Sequence, residues 1–491
     1  MTKILKPIMF VGTGSDVGKS VICAGFCRIF KQDGFSPAPF KAQNMSLNSF
    51  PTPEGLEIGR AQAVQAEAAG IPCKVEMNPV LLKPTNDKTS QVVLNGKPIG
   101  NQSAMEYFNG NNRQELFNEV TKAFDRLVAQ YSPIVMEGAG SISEINLKDR
   151  DITNMRMAIH AQAATILIAD IDRGGVFGSI YGTILLLDEE ERKQIKGIII
   201  NKFRGDIALF EDGVKMLEEL TGVKVLGVVP YFRDIFIEEE DSVVVDRKLR
   251  KAVKNKVNIA IVLLKRMSNF TDFQALEQHP YVNIFYSHDS DEIAQADIII
   301  IPGSKNSIAD LVDIKNNGLA NAILKARKAG KTIIGICGGY QMMGLSIEDP
   351  HGVEGQIEYM PGLGLLPIRT ILEKEKTTRQ VTFTYGDSPT VCKGYEIHMG
   401  ETIAEKGISP VVLKQGKIPE GCKIDAKCWG TYLHGILDNH VVIEDILKPF
   451  LGKENSHEFD YQSFKEEQYN KLAEVLRNCL DLDYVYKVLK D

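Results

Sequence analysis

No stretch of this chain approaches the ~20 uninterrupted apolar residues that a membrane-spanning helix needs. The apolar segment within MTKILKPIMFVGTGSD is also too short for a secretory signal. Membrane insertion and export are therefore not expected, and a cytoplasmic location is. The eight cysteines include no C-x-x-C pair and no small-domain framework, which leaves out a zinc ribbon and a disulfide scaffold. Reduced thiols are the simplest account. Excess positive charge is lacking too. A formal net charge of −7 provides no basic footprint for nucleic acid, although local basic residues can still serve a small anionic substrate. Internal repeats and low-complexity segments are absent, and nothing sets an oligomeric state.

What is present is the composition of an ordinary globular protein, 44% hydrophobic and 25% charged. At 491 residues the chain is too long for one core, so about two or three domains are expected.

The first chemistry-bearing stretch is GTGSDVGKS, Gly12 to Ser20, between an apolar strand at Pro7 to Val11 and an apolar helix reaching Phe30. A strand, a glycine-rich loop and a helix form the context of a phosphate-binding loop, with backbone N–H groups and the helix dipole facing the anion. The candidate nucleotide-binding residues are Gly12, Thr13, Gly14, Asp16, Val17, Gly18, Lys19 and Ser20. Lys19 would neutralise the β- and γ-phosphates, and the Ser20 hydroxyl would coordinate magnesium. Counting back from Gly18-Lys19-Ser20, the usual first glycine falls on Thr13, and Gly12 lies one place further out. This spacing resembles the loop of dethiobiotin synthetase and its relatives.

Further along, PFKAQNMSLNSF at Pro39 to Phe50 reads as a strand end followed by a solvated polar loop, in which Lys41 is placed to reach a phosphate or a carboxylate. The strand beginning at Pro133 ends in Glu137, a candidate magnesium ligand opposite Ser20. The next strand, Ala164 to Asp170, ends in Asp170 and is followed by Asp172 and Arg173, the two aspartates for the phosphate end of a nucleotide and the arginine as an anion clamp. Asn201 ends another strand, where its amide could read an adenine edge. Strands alternating with helices through Tyr231 predict a parallel, doubly wound sheet. The mixed-charge run between Ile235 and Lys256 reads as a linker or peripheral helix, and a second α/β pattern begins at Val257.

That second pattern contains TIIGICGGYQMMG, Thr332 to Gly344. A buried strand ends directly in Gly335, Cys337, Gly338 and Gly339, which predicts a cysteine nucleophile on a strained strand-to-helix turn. At a helix N-terminus the dipole favours a thiolate, and free N–H groups can hold an oxyanion. A cysteine nucleophile needs a base. Of eight histidines, His434 and His398 have suggestive places, His434 at a strand end and His398 inside GYEIHMG.

Pro302-Gly303, the cysteine elbow and the late His434 occur in the order found in triad-type glutamine amidotransferases. That resemblance implies that Cys337 attacks the glutamine side-chain amide, that His434 moves the proton, and that N–H groups near Gly303 and Gly338 hold the oxyanion. Those enzymes usually place a glutamate two residues after the histidine. Here that position is Ile436, leaving Asp438 as a substitute or a simple Cys–His dyad.

Over nearly its whole length the chain resembles the cobyric acid synthase family of cobalamin biosynthesis. The resemblance rests on PFKAQNMS, EIGRAQ, MNPVLLKP, EGAGSISEINL, DIDRGGVFGS, INKFRGD, PGSKNS, GICGGYQMMG, GYEIHMG and YLHG. It implies an N-terminal P-loop NTPase domain with a dethiobiotin synthetase-like parallel sheet, residues 1–235, and a linker over 236–256. A glutamine amidotransferase-like α/β domain, residues 257–450, and a helical tail, residues 451–491, would follow. The implied reaction uses ATP with Mg2+ and L-glutamine as ammonia donor to amidate four carboxylates of a corrinoid, through acyl phosphates. Three other readings stay open beside it. One is an amidotransferase for another polycarboxylate, of the a,c-diamide synthase or cell-wall precursor kind. Another is a nucleotide-switched regulatory P-loop protein, and the third a cysteine hydrolase with a structural nucleotide domain.

Overall fold

A computed structural model describes residues 5–85, 89–103, 107, 113–238, 251–451 and 459–491. Most of the expected linker, residues 239–250, lies outside the described residues, as do 452–458 of the expected tail. The chain divides into two compact units. The first comprises Met1–Ser46, Glu57–Glu238 and Ser463–Asp491, and the second Leu47–Leu56 and Glu239–Gln462.

The first unit is built on six parallel strands: β1 (Ile8–Gly12), β2 (Ala38–Phe40), β3 (Ile134–Glu137), β4 (Ala164–Asp170), β5 (Ile195–Phe203) and β6 (Val225–Pro230). Their order across the sheet is β6-β5-β4-β1-β3-β2, the parallel sheet expected from the alternating pattern. Strands β1, β3 and β4 are buried along their whole length, which is why they read as continuous apolar runs. Their pairing puts Phe10 beside Glu137 and Asp170 beside Asn201. Gly12, Glu137, Asp170 and Asn201 therefore stand at or beside the carboxyl ends of neighbouring strands, where α/β sheets bind ligands. Helix α1 (Lys19–Gln32) starts at Gly18, whose φ of 98° and close approach to the Asn201 amide exclude a side chain. Helix α2 (Arg60–Ala69) packs beside α1. Two C-terminal helices, α3 (Tyr461–Cys479) and α4 (Leu482–Lys490), complete this core: Leu472, Ala473, Leu476, Val485 and Leu489 join Phe26, Ile29 and Phe30 of α1 in one buried cluster.

The second unit has its own sheet. Its elements in chain order are β7 (Val257–Val262), β8 (Val282–Ser287), β9 (Ile298–Ile301), β10 (Thr332–Ile336), a long antiparallel hairpin of β11 (Ile368–Tyr385) and β12 (Cys392–Ala404), then β13 (Cys422–Asp425) and β14 (Cys428–Thr431). The main sheet runs β8-β7-β9-β10-β14-β13, parallel except for its β13 edge. The elbow follows β10 at the sheet's centre, and His434 lies just beyond the adjacent strand β14.

The polar run after Lys41 is not the solvated loop that its composition suggests. Asn48, Ser49 and Thr52 are fully buried, and Leu47–Leu56 forms part of the second unit. Partners in that unit satisfy its polar groups: Phe270 N donates to Asn48 Oδ1 at 3.2 Å, and Ser49 N donates to Asn269 Oδ1 at 3.0 Å. Among the described residues, no helix is long and apolar enough to cross a membrane.

Candidate functional site

In the first unit the glycine-rich loop surrounds one buried lysine. The Lys19 Nζ donates to the carbonyls of Gly14 at 2.8 Å and Gly140 at 3.0 Å. Burial pulls its pKa down to about 8 against the partly offsetting charge of Glu137. Glu137 is the hub of the site. Its Oε1 accepts from Ser20 Oγ and from Lys41 Nζ, each at 2.8 Å, and its Oε2 accepts from Gln65 Nε2 at 2.6 Å. Burial alone would raise this carboxyl, but the Lys41 ammonium and the three donors hold it below the usual carboxylate range. Ser20 and Glu137 are thus brought into direct hydrogen-bond contact.

Lys41 reaches this cluster through Glu137, and Gln65 joins it from α2 although no motif in the sequence singled it out. Thr13 pairs with Ser141, and Gly12 closes against Val17 and Lys19. Asp16 sits at φ 57°, paired with Arg173 at 3.1 Å. Asn201 Nδ2 donates to the Val17 carbonyl at 2.8 Å, so this nitrogen braces the loop itself. Asp170 pairs with Lys202 at 3.0 Å, and Asp172 with Arg204 at 2.6 Å.

In the second unit, Cys337 has φ 50° and ψ −109°, a conformation that non-glycine residues adopt only when the surroundings impose it. Its Sγ is buried, 3.6 Å from the Ile397 carbonyl, and the short helix Gly338–Met342 starts immediately after it. His434 lies against the sulfur. Gly303 borders the same ring, since a Cβ there would sit 3.1 Å from His434 Cε1. Gly338 abuts the backbone N of Ser304, where a Cβ would be 2.8 Å away. The structure therefore gathers Cys337, His434, Gly303 and Gly338 at one turn. The His398 ring stacks on Tyr432 at 3.8 Å, and its Nδ1 meets the Gly400 carbonyl at 2.9 Å.

His434 meets a carboxylate from elsewhere in the chain. His434 Nδ1 lies 2.7 Å from Asp272 Oδ2, and Asp272 Oδ1 accepts from Gly435 N at 3.0 Å. Asp438, the substitute suggested by proximity in sequence, instead ends the 3-10 turn Ile436–Asp438. Burial would depress the imidazole, but Asp272 and Cys337 outweigh it and push its pKa up to about 10. Around the elbow, Gln341 accepts from Ser307 Oγ at 2.7 Å and donates to Tyr432 OH at 3.3 Å, and Tyr432 pairs with Thr402 at 2.6 Å. Such a fully partnered buried network fixes the turn that presents the sulfur. Asp272 was not legible in sequence because Asn269–Phe273 carries neither glycine spacing nor a strand-end position.

Two family models match the chain. One is described as a CobQ/CobB/MinD/ParA nucleotide binding domain and covers residues 8–244. The other is described as a CobB/CobQ-like glutamine amidotransferase domain and covers residues 258–442. Among similar proteins, one named cobyric acid synthase from Bacteroides fragilis is 60% identical over 493 residues, covering 100% of both chains. Another of that name from Phocaeicola vulgatus is 58% identical, covering 100% of this chain and 99% of the relative. A third, from Syntrophobacter fumaroxidans, is 45% identical over 99% of this chain and 98% of the relative. With two matching domains in this order and identity sustained from end to end, the chain belongs to the cobyric acid synthase family.

Proposed function

We propose that this chain converts the b, d, e and g side-chain carboxylates of adenosylcobyrinic acid a,c-diamide to amides, using ATP and glutamine. The observation that carries the reading is full-length identity of 58–60% to relatives named cobyric acid synthase, from Bacteroides fragilis and Phocaeicola vulgatus. The chemistry of the two sites supports it. A carboxylate is a poor electrophile, and transfer of the γ-phosphoryl group to its oxygen makes an acyl phosphate with phosphate as leaving group. Ammonia then attacks the acyl carbon, and phosphate departs with the bonding electrons.

Lys19 and the loop N–H groups hold the nucleotide's phosphates and offset their charge. Ser20 and Glu137 offer hard oxygen ligands that suit Mg2+. The described residues contain no group of three or more acidic, histidine or cysteine side chains able to hold a metal, so nucleotide phosphates and water would complete its shell, the usual arrangement for this ion. Bound there, Mg2+ would neutralise charge on the phosphates.

At the second site Cys337 Sγ attacks the amide carbon of glutamine, and N–H groups near Gly303 and Gly338 receive the oxyanion. Protonated His434, oriented by Asp272, gives its proton to the departing ammonia and then activates the water that cleaves the thioester to glutamate.

The test is mass analysis of the corrinoid after incubation with ATP and glutamine, where four successive acid-to-amide conversions are expected. Cys337→Ala should abolish the glutamine-dependent conversion and spare the one driven by added ammonia. Survival of both activities in that variant would remove Cys337 from the reaction, and no amidation by the unaltered chain would overturn the substrate assignment.

A further inference from the structure

The strap Leu47–Leu56 belongs to the same compact unit as the cysteine site, although it lies far from the rest of that unit in sequence. The 3-10 turn Phe270–Phe273, which carries Asp272, begins at Asn269 in a left-handed conformation, φ 53° and ψ 44°, and no side chain of its own caps it. The first N–H groups of such a turn need partners from elsewhere. The strap supplies one, since Phe270 N donates to Asn48 Oδ1 at 3.2 Å. Asn269 answers in the opposite direction, its Oδ1 accepting from Ser49 N at 3.0 Å. Both bonds are buried, where geometry lost is not replaced by water.

The strap also reaches the other side of the histidine. The Phe50 ring meets Tyr395 edge-on at 4.9 Å, and Tyr395 stacks on His434 at 5.2 Å. Tyr395 and His434 further exchange backbone hydrogen bonds at 3.0 and 2.9 Å. Gln380 Nε2, on the same hairpin as Tyr395, donates to the Pro51 carbonyl at 2.8 Å. The strap thus touches the turn bearing Asp272 and the ring stacked on His434.

We propose that Asn48 is a positioning residue of the glutaminase reaction, holding the Asp272 turn so that its carboxylate meets His434. The inference rests on the glutaminase reading of Cys337. Asn48 acts here through the turn it holds, so its loss acts on the rate of the chemical step and leaves glutamine binding largely alone. Misplacement of a catalytic group by fractions of an ångström is enough to cost about tenfold or more in rate.

The experiment compares the full chain with Asn48→Leu, Asn48→Ser and Cys337→Ala, measuring glutamate release, ammonia-dependent amidation and thermal unfolding. Asn48→Leu keeps the volume and removes the accepting oxygen, while Asn48→Ser restores a short acceptor. Expected for Asn48→Leu is a fall of about tenfold or more in glutaminase kcat, with KM for glutamine within about threefold and ammonia-dependent synthesis unchanged. Asn48→Ser should recover part of the rate. A glutaminase kcat for Asn48→Leu within about twofold of the unaltered chain would overturn the positioning role, as would a parallel loss of glutaminase, ammonia-dependent synthesis and Tm. The Cys337→Ala control separates the two levels. If it still releases glutamate, the glutaminase reading falls and takes this inference with it; if it is inactive, the Asn48 results bear on the strap alone.

Discussion

Asp272 uses both carboxylate oxygens, one against the imidazole of His434 and one on the backbone N–H of Gly435. It therefore fixes the ring's orientation as well as its charge. Asp272→Asn preserves the shape, removes the charge and offers an amide that favours the wrong tautomer. In the proposed mechanism this lowers glutaminase kcat by about 10⁴-fold, the loss seen when a comparable orienting aspartate is neutralised. The pH dependence has a definite sign. Against the depressing effect of burial, Asp272 and Cys337 push the His434 pKa up to about 10 from an ordinary 6.5. A raised histidine stabilises the folded state fully below about pH 6.5, and that stabilisation is lost as pH rises toward about 10. In the asparagine variant the folded pKa falls, so the alkaline limb of glutaminase activity moves to lower pH. Tm should also vary less between about pH 7 and 10. A kcat-against-pH series with Tm at each pH checks both, and an unmoved alkaline limb would show that Asp272 does not set the charge on His434. This residue was illegible because the carboxylate lies 162 positions from its histidine. Spacing near His434 pointed to Asp438, and only the tertiary fold brings the Asn269–Phe273 turn across.

At the scale of the element, the elbow was legible for a local reason. A residue held at φ 50° and ψ −109° between a strand and a helix needs close passage of the two segments, and that need appears directly as the glycines around Cys337. The structure gives the crowding a number. A Cβ on Gly339 would lie 1.9 Å from the Ile301 carbonyl oxygen, at the end of the adjacent strand β9. Backbone on both sides cannot yield as a flexible side chain would, so Gly339→Ala should destabilise the second unit by about 3 kcal/mol or more, at or beyond the upper end for overpacking. Denaturant unfolding followed by tryptophan fluorescence reports on this unit, because Trp429 is the only tryptophan and lies on β14. A midpoint equal to that of the unaltered chain would mean that the elbow can relax away from Ile301. The strap Leu47–Leu56 shows the opposite case. Asn48 and Ser49 look like solvated loop by composition, and only the distant partners Asn269 and Phe270 reveal that they are buried and bonded.

For the molecule as a whole, alternation of strands and helices announced both α/β sheets, since each parallel strand is a buried apolar run whose period needs no tertiary information. Which segments share a core was another matter. Helical periodicity after about residue 460 says that α3 has an apolar face, but it does not say what that face meets. The answer is the first unit: Leu472 and Leu476 pack on α1, where Gly25 leaves room for Leu476. Arg28, also on α1, pairs with Glu466 at 2.6 Å, and Lys465 pairs with Glu67 of α2 at 2.8 Å. These two pairs are partly exposed on at least one side and add little beside the apolar contact. Burial of Leu476 is complete, and cutting it back to alanine leaves a cavity against α1. Leu476→Ala should therefore cost about 2–5 kcal/mol and weaken the nucleotide unit although the residue lies at the far end of the chain. Because α1 begins at the phosphate loop, the loss should appear as a lower urea midpoint for the first unit and as reduced protection against unfolding by added ATP. The Trp429 transition of the second unit should stay where it was. If instead that transition moves and ATP protection is unchanged, α3 is stabilising the glutaminase unit and its assignment to the synthetase core is wrong.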